Sequence, residues 1–80
     1  MERPKEMRVT KREAKALLAT GGWQKDPELT KAAGFEAYRN PRGQSLVLLP
    51  GRLGADICDD RDAMLAYCLA ARAEPPTHII

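Results

Sequence analysis

The residues that could carry out chemistry in this chain are few, and their spacing matches no catalytic or metal-binding pattern. The single histidine, His78, has no neighbouring nucleophile that would mark it as a general base. Cys58 and Cys68 do not form the CxxC pair that zinc sites and dithiol enzymes use. Cys58 lies close to a predicted helix start, where the pKa of its thiol could be lowered, whereas Cys68 lies in an apolar run and is predicted to be a small core residue.

Four aspartates lie close together in the sequence: Asp56, Asp59, Asp60 and Asp62. The glycine and distal glutamate of a calcium-binding loop are missing around them, and acidic residues favour helix N-termini in any case because of the helix dipole. The segment PGRLG, residues 50–54, lacks the spacing and the Lys-Ser/Thr ending of a phosphate-binding loop. We therefore predict no catalytic residues, no metal site and no cofactor, and hence a protein that is not an enzyme.

The composition indicates one small domain over residues 1–80 with a thin hydrophobic core. The chain is rich in alanine, which favours helix but buries little area, and its formal net charge is only +2. No apolar run approaches the roughly 20 residues that span a membrane, and no signal peptide is recognisable. The sequence therefore predicts a cytoplasmic protein with reduced thiols and no membrane contact.

The charge is unevenly distributed along the chain. Residues 1–15 carry six bases and three acids, whereas residues 46–80 carry more acids than bases. A basic start could contact phosphate or an acidic protein surface, and it could equally be a solvated helix face. We predict that residues 1–8 form a flexible basic segment.

A capping box predicts the first helix. The Thr10 hydroxyl can accept from the amide of Glu13, and the Glu13 carboxylate can accept from the amide of Thr10. The helix is predicted over residues 11–20, with Gly21 as its terminating residue. Trp23 follows at once and is predicted to cap the core beneath this helix.

A second, shorter helix is predicted over residues 27–33. Asp26 is a suitable N-cap, Pro27 suits the first helical position, and Gly34 suits the end. Only Leu29 and the alanines of this segment could be buried, so the helix is predicted to lie on the surface.

A β-hairpin is predicted at the centre of the chain. Its strands are Phe35–Asn40 and Ser45–Leu49, and the segment Asn40–Gly43 between them has the proline and glycine positions of a type I turn. The second strand is apolar on both faces, which predicts that both faces are covered. The segment Pro50–Ala55 is predicted to be a loop that carries Arg52.

The last helix is predicted to start at a cap formed by Asp59 or Asp60 and to run to about Glu74. Its middle, Ala63–Ala71, is an unbroken apolar run, which predicts burial on two sides. The helix could be the core of a small fold, or it could pack against a second copy or a partner protein. Its principal apolar residues are Met64, Leu65, Tyr67 and Leu69. Residues 75–80 are predicted to be a tail that is disordered or adds to a sheet edge.

Together these elements predict an α+β fold: a small α-β-β-α domain whose antiparallel β-hairpin packs against the N- and C-terminal helices. Over about residues 11–73 this order resembles the HicA-like toxins, and GFEAYRNPRGQSLVLLPG, residues 34–51, resembles the hairpin of that family. The resemblance implies a double-stranded-RNA-binding-like fold and cleavage of messenger RNA by a histidine of the first strand. Phe35 and Glu36 stand where that family has Ser and His, so the resemblance also implies that this chain has lost the nuclease activity.

Two functions from different classes remain open. The first is a non-catalytic module that docks on a protein and modulates or inhibits it, as bacteriophage or mobile-element proteins do with host proteins. Its predicted contact residues are Trp23, Phe35, Tyr38, Arg39, Arg42 and Arg52. The alternative is an RNA- or DNA-binding module that uses the arginines of the hairpin region together with basic residues of the first helix, namely Lys11, Arg12 and Lys15.

Overall fold

The computed structural model describes residues 4–73 and contains three α-helices and one five-stranded antiparallel sheet. The elements follow one another as β1 (Glu6–Val9), α1 (Lys11–Thr20), β2 (Gln24–Lys25), α2 (Pro27–Ala33), β3 (Ala37–Arg39), β4 (Ser45–Leu48), β5 (Ala55–Cys58) and α3 (Arg61–Ala73). A 3-10 turn, Gly51–Leu53, joins β4 to β5. The α+β class and the hairpin between flanking helices are confirmed.

The sheet has the strand order β1-β5-β4-β3-β2, so the predicted hairpin, β3 and β4, lies inside it rather than alone. Because side chains alternate across a strand, β4 sends Leu46 and Val47 to opposite faces. Leu46 packs with Ala14 of α1 and Ala55 on one face. Val47 packs with Leu29 of α2, Met64 of α3 and their neighbours on the other face. The domain therefore has three layers, with α1 on one face of the sheet and α2 and α3 on the other.

The strand that is apolar on both faces is enclosed by this chain alone. Leu46 is fully buried and Val47 is 6 % exposed. The prediction that both faces of this strand are covered is confirmed. The sequence did not reveal which elements cover them: α1 lies on one face, and α2 and α3 lie on the other.

The predicted capping chemistry is present at all three helices. Thr10 and Glu13 form the reciprocal capping box at the start of α1. Asp26 accepts from the amide of Leu29 and caps α2, which ends at Gly34 in the left-handed region. Asp60, rather than Asp59, caps α3 by accepting from the amide of Ala63. The bounds predicted for the first two helices agree with the structure.

Two adjacent strands of the sheet were not predicted. Residues 6–8, predicted to be part of a flexible segment, form β1 together with Val9, and residues 55–58, of which only Ala55 was assigned, to a loop, form β5. The two strands pair with each other, with Met7 opposite Ile57. Gly54 permits this approach because it has a φ of +84° and because a Cβ there would overlap the carbonyl oxygen of Val9. β1 has no strand partner close in the sequence, whereas β5 also pairs with β4, which precedes it. Both segments are too short to identify a strand by themselves, so the pairing of β1 with β5 could not be predicted from the sequence.

The last helix is less enclosed than predicted. Met64 is buried in the core and Leu65 and Tyr67 pack against it, but Leu69 is 51 % exposed. Within the described chain α3 is covered on one side only, because it lies on an outer layer and its far side faces solvent, so it is not the enclosed core of a small fold. A dimer contact through α3 stays a prediction, and the predicted tail, residues 75–80, lies outside the described residues.

A buried ion pair joins the two helices of the outer layer. Asp26 is fully buried, and its carboxylate accepts from Arg61 at two places, 2.7 Å from Nε and 3.0 Å from Nη2. Arg61 also donates to Glu28 at 2.9 Å and to Asp62 at 3.1 Å, and its side chain is 14 % exposed. The hydrogen bonds from Arg61, its positive charge and the capping amide of Leu29 outweigh the effect of burial and hold the pKa of Asp26 below its ordinary value.

We expect Asp26→Asn to lower the free energy of unfolding by about 2 to 4 kcal/mol, because asparagine still caps the helix but leaves Arg61 facing a neutral amide. Urea unfolding at neutral pH, followed by circular dichroism, measures the change. The matched control is Asp62→Asn, whose carboxylate also accepts from Arg61 but is 90 % exposed. The control should change stability by less than about 0.5 kcal/mol, and equal losses in the two variants would contradict this account.

The stabilisation from Asp26 should also depend on pH. Because its folded pKa is lowered, the contribution is fully present above the unfolded pKa of about 3.9 and is lost as pH falls through the folded pKa. The difference in unfolding free energy between the natural chain and Asp26→Asn should therefore be constant from neutral to mildly acidic pH and then shrink below about pH 4. Unfolding measured across an acid pH series tests this, and a difference that grew on acidification would refute it.

Candidate functional site

The thiol nearest to a helix start is not activated. Cys58 is 2 % exposed, and its Sγ exchanges hydrogen bonds with the backbone of Asp60. Burial raises the pKa of the Cys58 thiol, aided by the nearby carboxylates of Glu6, Asp60 and Asp59. The hypothesis of a lowered pKa is therefore wrong, because burial of the Cys58 side chain outweighs its hydrogen bond with the backbone amide of Asp60 at the start of α3.

The remaining candidates for chemistry do not converge on a site in the described part of the chain. Residues 4–73 contain no group of three or more His, Cys, Asp or Glu side chains able to hold a metal ion. His78 lies outside the described residues. Asp56, one of the four clustered aspartates, points away from the others and forms an ion pair with Arg8.

An open cavity lies on the α1 face of the sheet, with a volume of about 620 Å³. α1 is short and rich in alanine, so it covers the centre of this face and leaves the side toward β1 open. We call this cavity the α1-side groove. Its apolar lining consists of Met7, Val9, Leu17, Trp23 and Ile57.

Two consecutive glycines set the position of Trp23 in the groove. A Cβ on Gly21 would overlap the indole ring, and Gly22 adopts a φ of +68° that other residues rarely adopt. The chain can therefore turn sharply after α1 and place the indole against the core residues of that face. One side of Trp23 packs on this core, and another lines the α1-side groove.

The rim of the groove carries charges of both signs, but several of its acids are engaged within the chain. Glu13 accepts from both the amide and the hydroxyl of Thr10, and these hydrogen bonds lower the pKa of Glu13. Asp59 accepts from the side chain of Gln44 at 3.1 Å. Arg42, at the tip of the β3–β4 turn, is an exposed cation on the same rim. The groove therefore offers an apolar floor, an aromatic wall and an exposed guanidinium.

The structure brings together only some of the predicted contact residues. Trp23 and Arg42 line the same groove. Tyr38 lies on the same sheet face, half-buried, and its hydroxyl donates to Glu36 at 2.6 Å, which raises the pKa of Tyr38. Arg39 lies on the opposite face, where its guanidinium is 3.7 Å from a carboxylate oxygen of Asp26.

The other two predicted contacts lie at the far end of the hairpin. Phe35 is 42 % exposed and precedes β3, and Arg52 lies in the 3-10 turn after β4. Arg52 shares a second open hollow, of about 450 Å³, with Arg8 and Lys11. The predicted arginines therefore do not form one continuous surface, because the hairpin places Arg42 and Arg52 at opposite ends.

The residues that form the floor of the groove were not predicted as contact residues from the sequence. Met7 and Ile57 are directly opposite each other in β1 and β5, and Leu17 faces them from α1. The available signal was the alternation of Met7 and Val9 in EMRV, which is the pattern of a strand with one apolar face. That signal is too short to identify a strand without its partner.

Comparison of this chain with protein-family models, with curated proteins and with solved structures gave no match. The resemblance to the HicA-like toxins is thus neither supported nor contradicted by these comparisons. Across residues 4–73, no helix has the length and apolar character that crossing a lipid bilayer requires.

The buried thiol leads to a prediction about reactivity. In a Cys68→Ala variant, Cys58 should react with Ellman's reagent roughly tenfold or more slowly in the folded chain than in urea, because a buried thiol of raised pKa supplies little accessible thiolate. The complementary Cys58→Ala variant leaves Cys68, which is only partly buried and should react faster in the folded chain. Equal rates for Cys58 in the folded and unfolded chain would contradict the assignment.

Proposed function

We propose that this protein is a non-catalytic binding module that docks on another protein through the α1-side groove. The observation that carries the proposal is the groove itself, in which apolar side chains of β1, β5 and α1 surround the chain's single tryptophan beside an exposed arginine. Apolar side chains left open to water gain free energy when a partner covers them. Tryptophan and arginine are also the residues most enriched at the energetic centres of protein interfaces.

The chemistry of the groove defines the partner segment that fits it. Its floor favours a large aliphatic or aromatic side chain, and Arg42 favours a carboxylate beside that side chain. Lys5 adds a second cation at the rim, while the carboxylates of Glu13 and Asp59 already accept hydrogen bonds within the chain. The proposed partner segment is therefore apolar with an adjacent acidic residue.

The non-catalytic part of the proposal rests on how the candidate groups are used. Asp26, the most buried carboxylate described, is held by Arg61, and Cys58 has a raised pKa. A general base or nucleophile needs the opposite environment, with an accessible lone pair and a pKa near the working pH.

We further propose that docking modulates or inhibits the partner, and that this takes place in the cytoplasm of a bacterial host.

A nucleic-acid-binding function is the second candidate, and the hollow shared by Arg8, Lys11 and Arg52 is the observation in its favour. Arg8 is already paired with Asp56, so part of the charge of this hollow is neutralised within the chain. The net charge of +2 also gives little long-range attraction for phosphate. The RNA binding that the HicA-like resemblance implies belongs to this second candidate. We rank nucleic-acid binding below protein docking.

A displayed library of random short peptides, selected on the natural chain, tests the proposal. We expect the enriched peptides to combine a bulky apolar residue with a neighbouring acid. Binding of a synthetic enriched peptide should change the fluorescence of Trp23, since this indole lines the groove. Leu17→Asp and Arg42→Glu should each lower the affinity of the chain for that peptide by roughly tenfold or more, which corresponds to about 1.4 kcal/mol of binding free energy.

Two matched controls are available at the far end of the hairpin. Leu53→Asp and Arg52→Glu make the same chemical changes at exposed positions outside the groove and should leave peptide affinity unchanged. The proposal is wrong if no peptide is enriched, or if groove and control variants bind the selected peptide equally. Retention of the chain on an RNA column that Arg52→Glu abolishes, with affinity that falls steeply as salt rises, would replace it with the nucleic-acid function.

A further inference from the structure

One edge of the sheet is long enough to pair with another strand. β1 is the outermost strand on its side in the described chain, and it has four residues. The opposite edge, β2, has only two residues, a length that limits further pairing. An outer strand leaves a row of backbone donors and acceptors unpaired within its own sheet, which makes it a template for another strand. Met7, in the middle of β1, is 62 % exposed.

We propose that β1 pairs with β1 of a second copy of this chain, so that two five-stranded sheets become one ten-stranded sheet. A two-fold axis perpendicular to the sheet brings the same edge of two copies together with the strands antiparallel. This inference does not depend on the proposed docking function, because it rests on the backbone and side chains of the outer edge.

The alternation of the backbone limits the possible registers. In an antiparallel ladder, two residues directly opposite each other must both direct their backbone groups toward the partner strand or both away from it. For a strand that pairs with its own copy, an odd-numbered residue must therefore lie opposite an odd-numbered one. Four registers centre on a residue of β1. The register on Val9 pairs no other residue of β1 with its copy and forms no charge pair within the strand, which leaves the registers on Glu6, Met7 and Arg8.

Charge selects one of these three registers. Centring on Glu6 places two carboxylates opposite each other, and centring on Arg8 places two guanidinium groups opposite each other, and both arrangements are destabilising. Centring on Met7 places Glu6 of each copy opposite Arg8 of the other copy, which gives two pairs of opposite charge. It also places the two Met7 side chains together on the axis. The sequence EMRV is thus self-complementary in one register alone.

Burial on each face agrees with this register. The side chain of Arg8 is 54 % exposed although it also pairs with Asp56, so its guanidinium remains accessible from the edge. Met7 lies opposite Ile57 in its own sheet, on the face that carries α1. A two-fold axis perpendicular to the sheet keeps both α1 faces on the same side. The two α1-side grooves would then meet across the paired Met7 side chains to form one longer apolar surface.

The experiment is sedimentation velocity over a concentration series, using variants of Met7. Met7→Lys and Met7→Glu each place two like charges together on the axis and should weaken dimerisation by roughly tenfold or more. The position is largely exposed, so both variants should keep the fold, which circular dichroism checks. An equimolar mixture of the two variants restores opposite charges at the axis and should recover association as a heterodimer.

The control is Leu53→Lys, a similar change at a residue that is 55 % exposed and lies outside β1. It should dimerise like the natural chain. The inference is overturned if the natural chain stays monomeric up to high micromolar concentration, if the mixture of charged variants fails to associate, or if Leu69→Asp in α3 rather than Met7→Lys abolishes the dimer. Leu17→Asp and Arg42→Glu change the groove outside β1 and should dimerise like the natural chain. Dimerisation and peptide binding of the natural chain are measured separately, so failure of one proposal is distinguishable from failure of the other.

Discussion

The fold depends on the buried contact between Asp26 and Arg61. Asp26 caps α2, and its backbone amide donates to Ala37 at the start of β3. Arg61 opens α3, and its backbone amide donates to Gly43 in the β3–β4 turn. The ion pair joins the starts of two helices, and the backbone amides of the same two residues bond to the start of β3 and to the turn that follows it, although 35 positions separate Asp26 from Arg61 in the sequence. Because a buried charge without its partner is costly, this contact favours one arrangement of α2 and α3 over all others.

That arrangement makes the two faces of the sheet unequal. α2 and α3 together cover one face, and their principal core residues are Leu29 and Met64. α1 alone covers the other face, and its buried residue is the small side chain of Ala14. A single alanine-rich helix cannot span five strands, so the sheet stays open beside β1. The groove and the exposed Met7 are both consequences of this difference between the two layers.

Local chemistry was sufficient to predict the helices. The capping box at Thr10 and the Asp26-Pro27 start act within one turn of chain, so their effect does not depend on the rest of the molecule. The turn at Pro41 is also local, with Gly43 donating to Asn40 across it. The strand that is apolar on both faces indicated a layer on each side, although not which helix supplied each layer. From the sequence, Trp23 and Arg42 were predicted as contact residues, and the structure places them in one groove.

The sequence by itself determined the α+β class, the first two helices, the turn and the covering of β4. Only the tertiary structure decided that residues 6–9 and 55–58 are strands, because these short segments pair with each other across almost 50 positions of sequence. It also decided which arginines lie together, since the hairpin separates Arg42 from Arg52 while strand pairing brings Arg52 near Arg8. Contacts within a turn follow from residue type, whereas contacts between distant segments follow from the packing of the whole sheet.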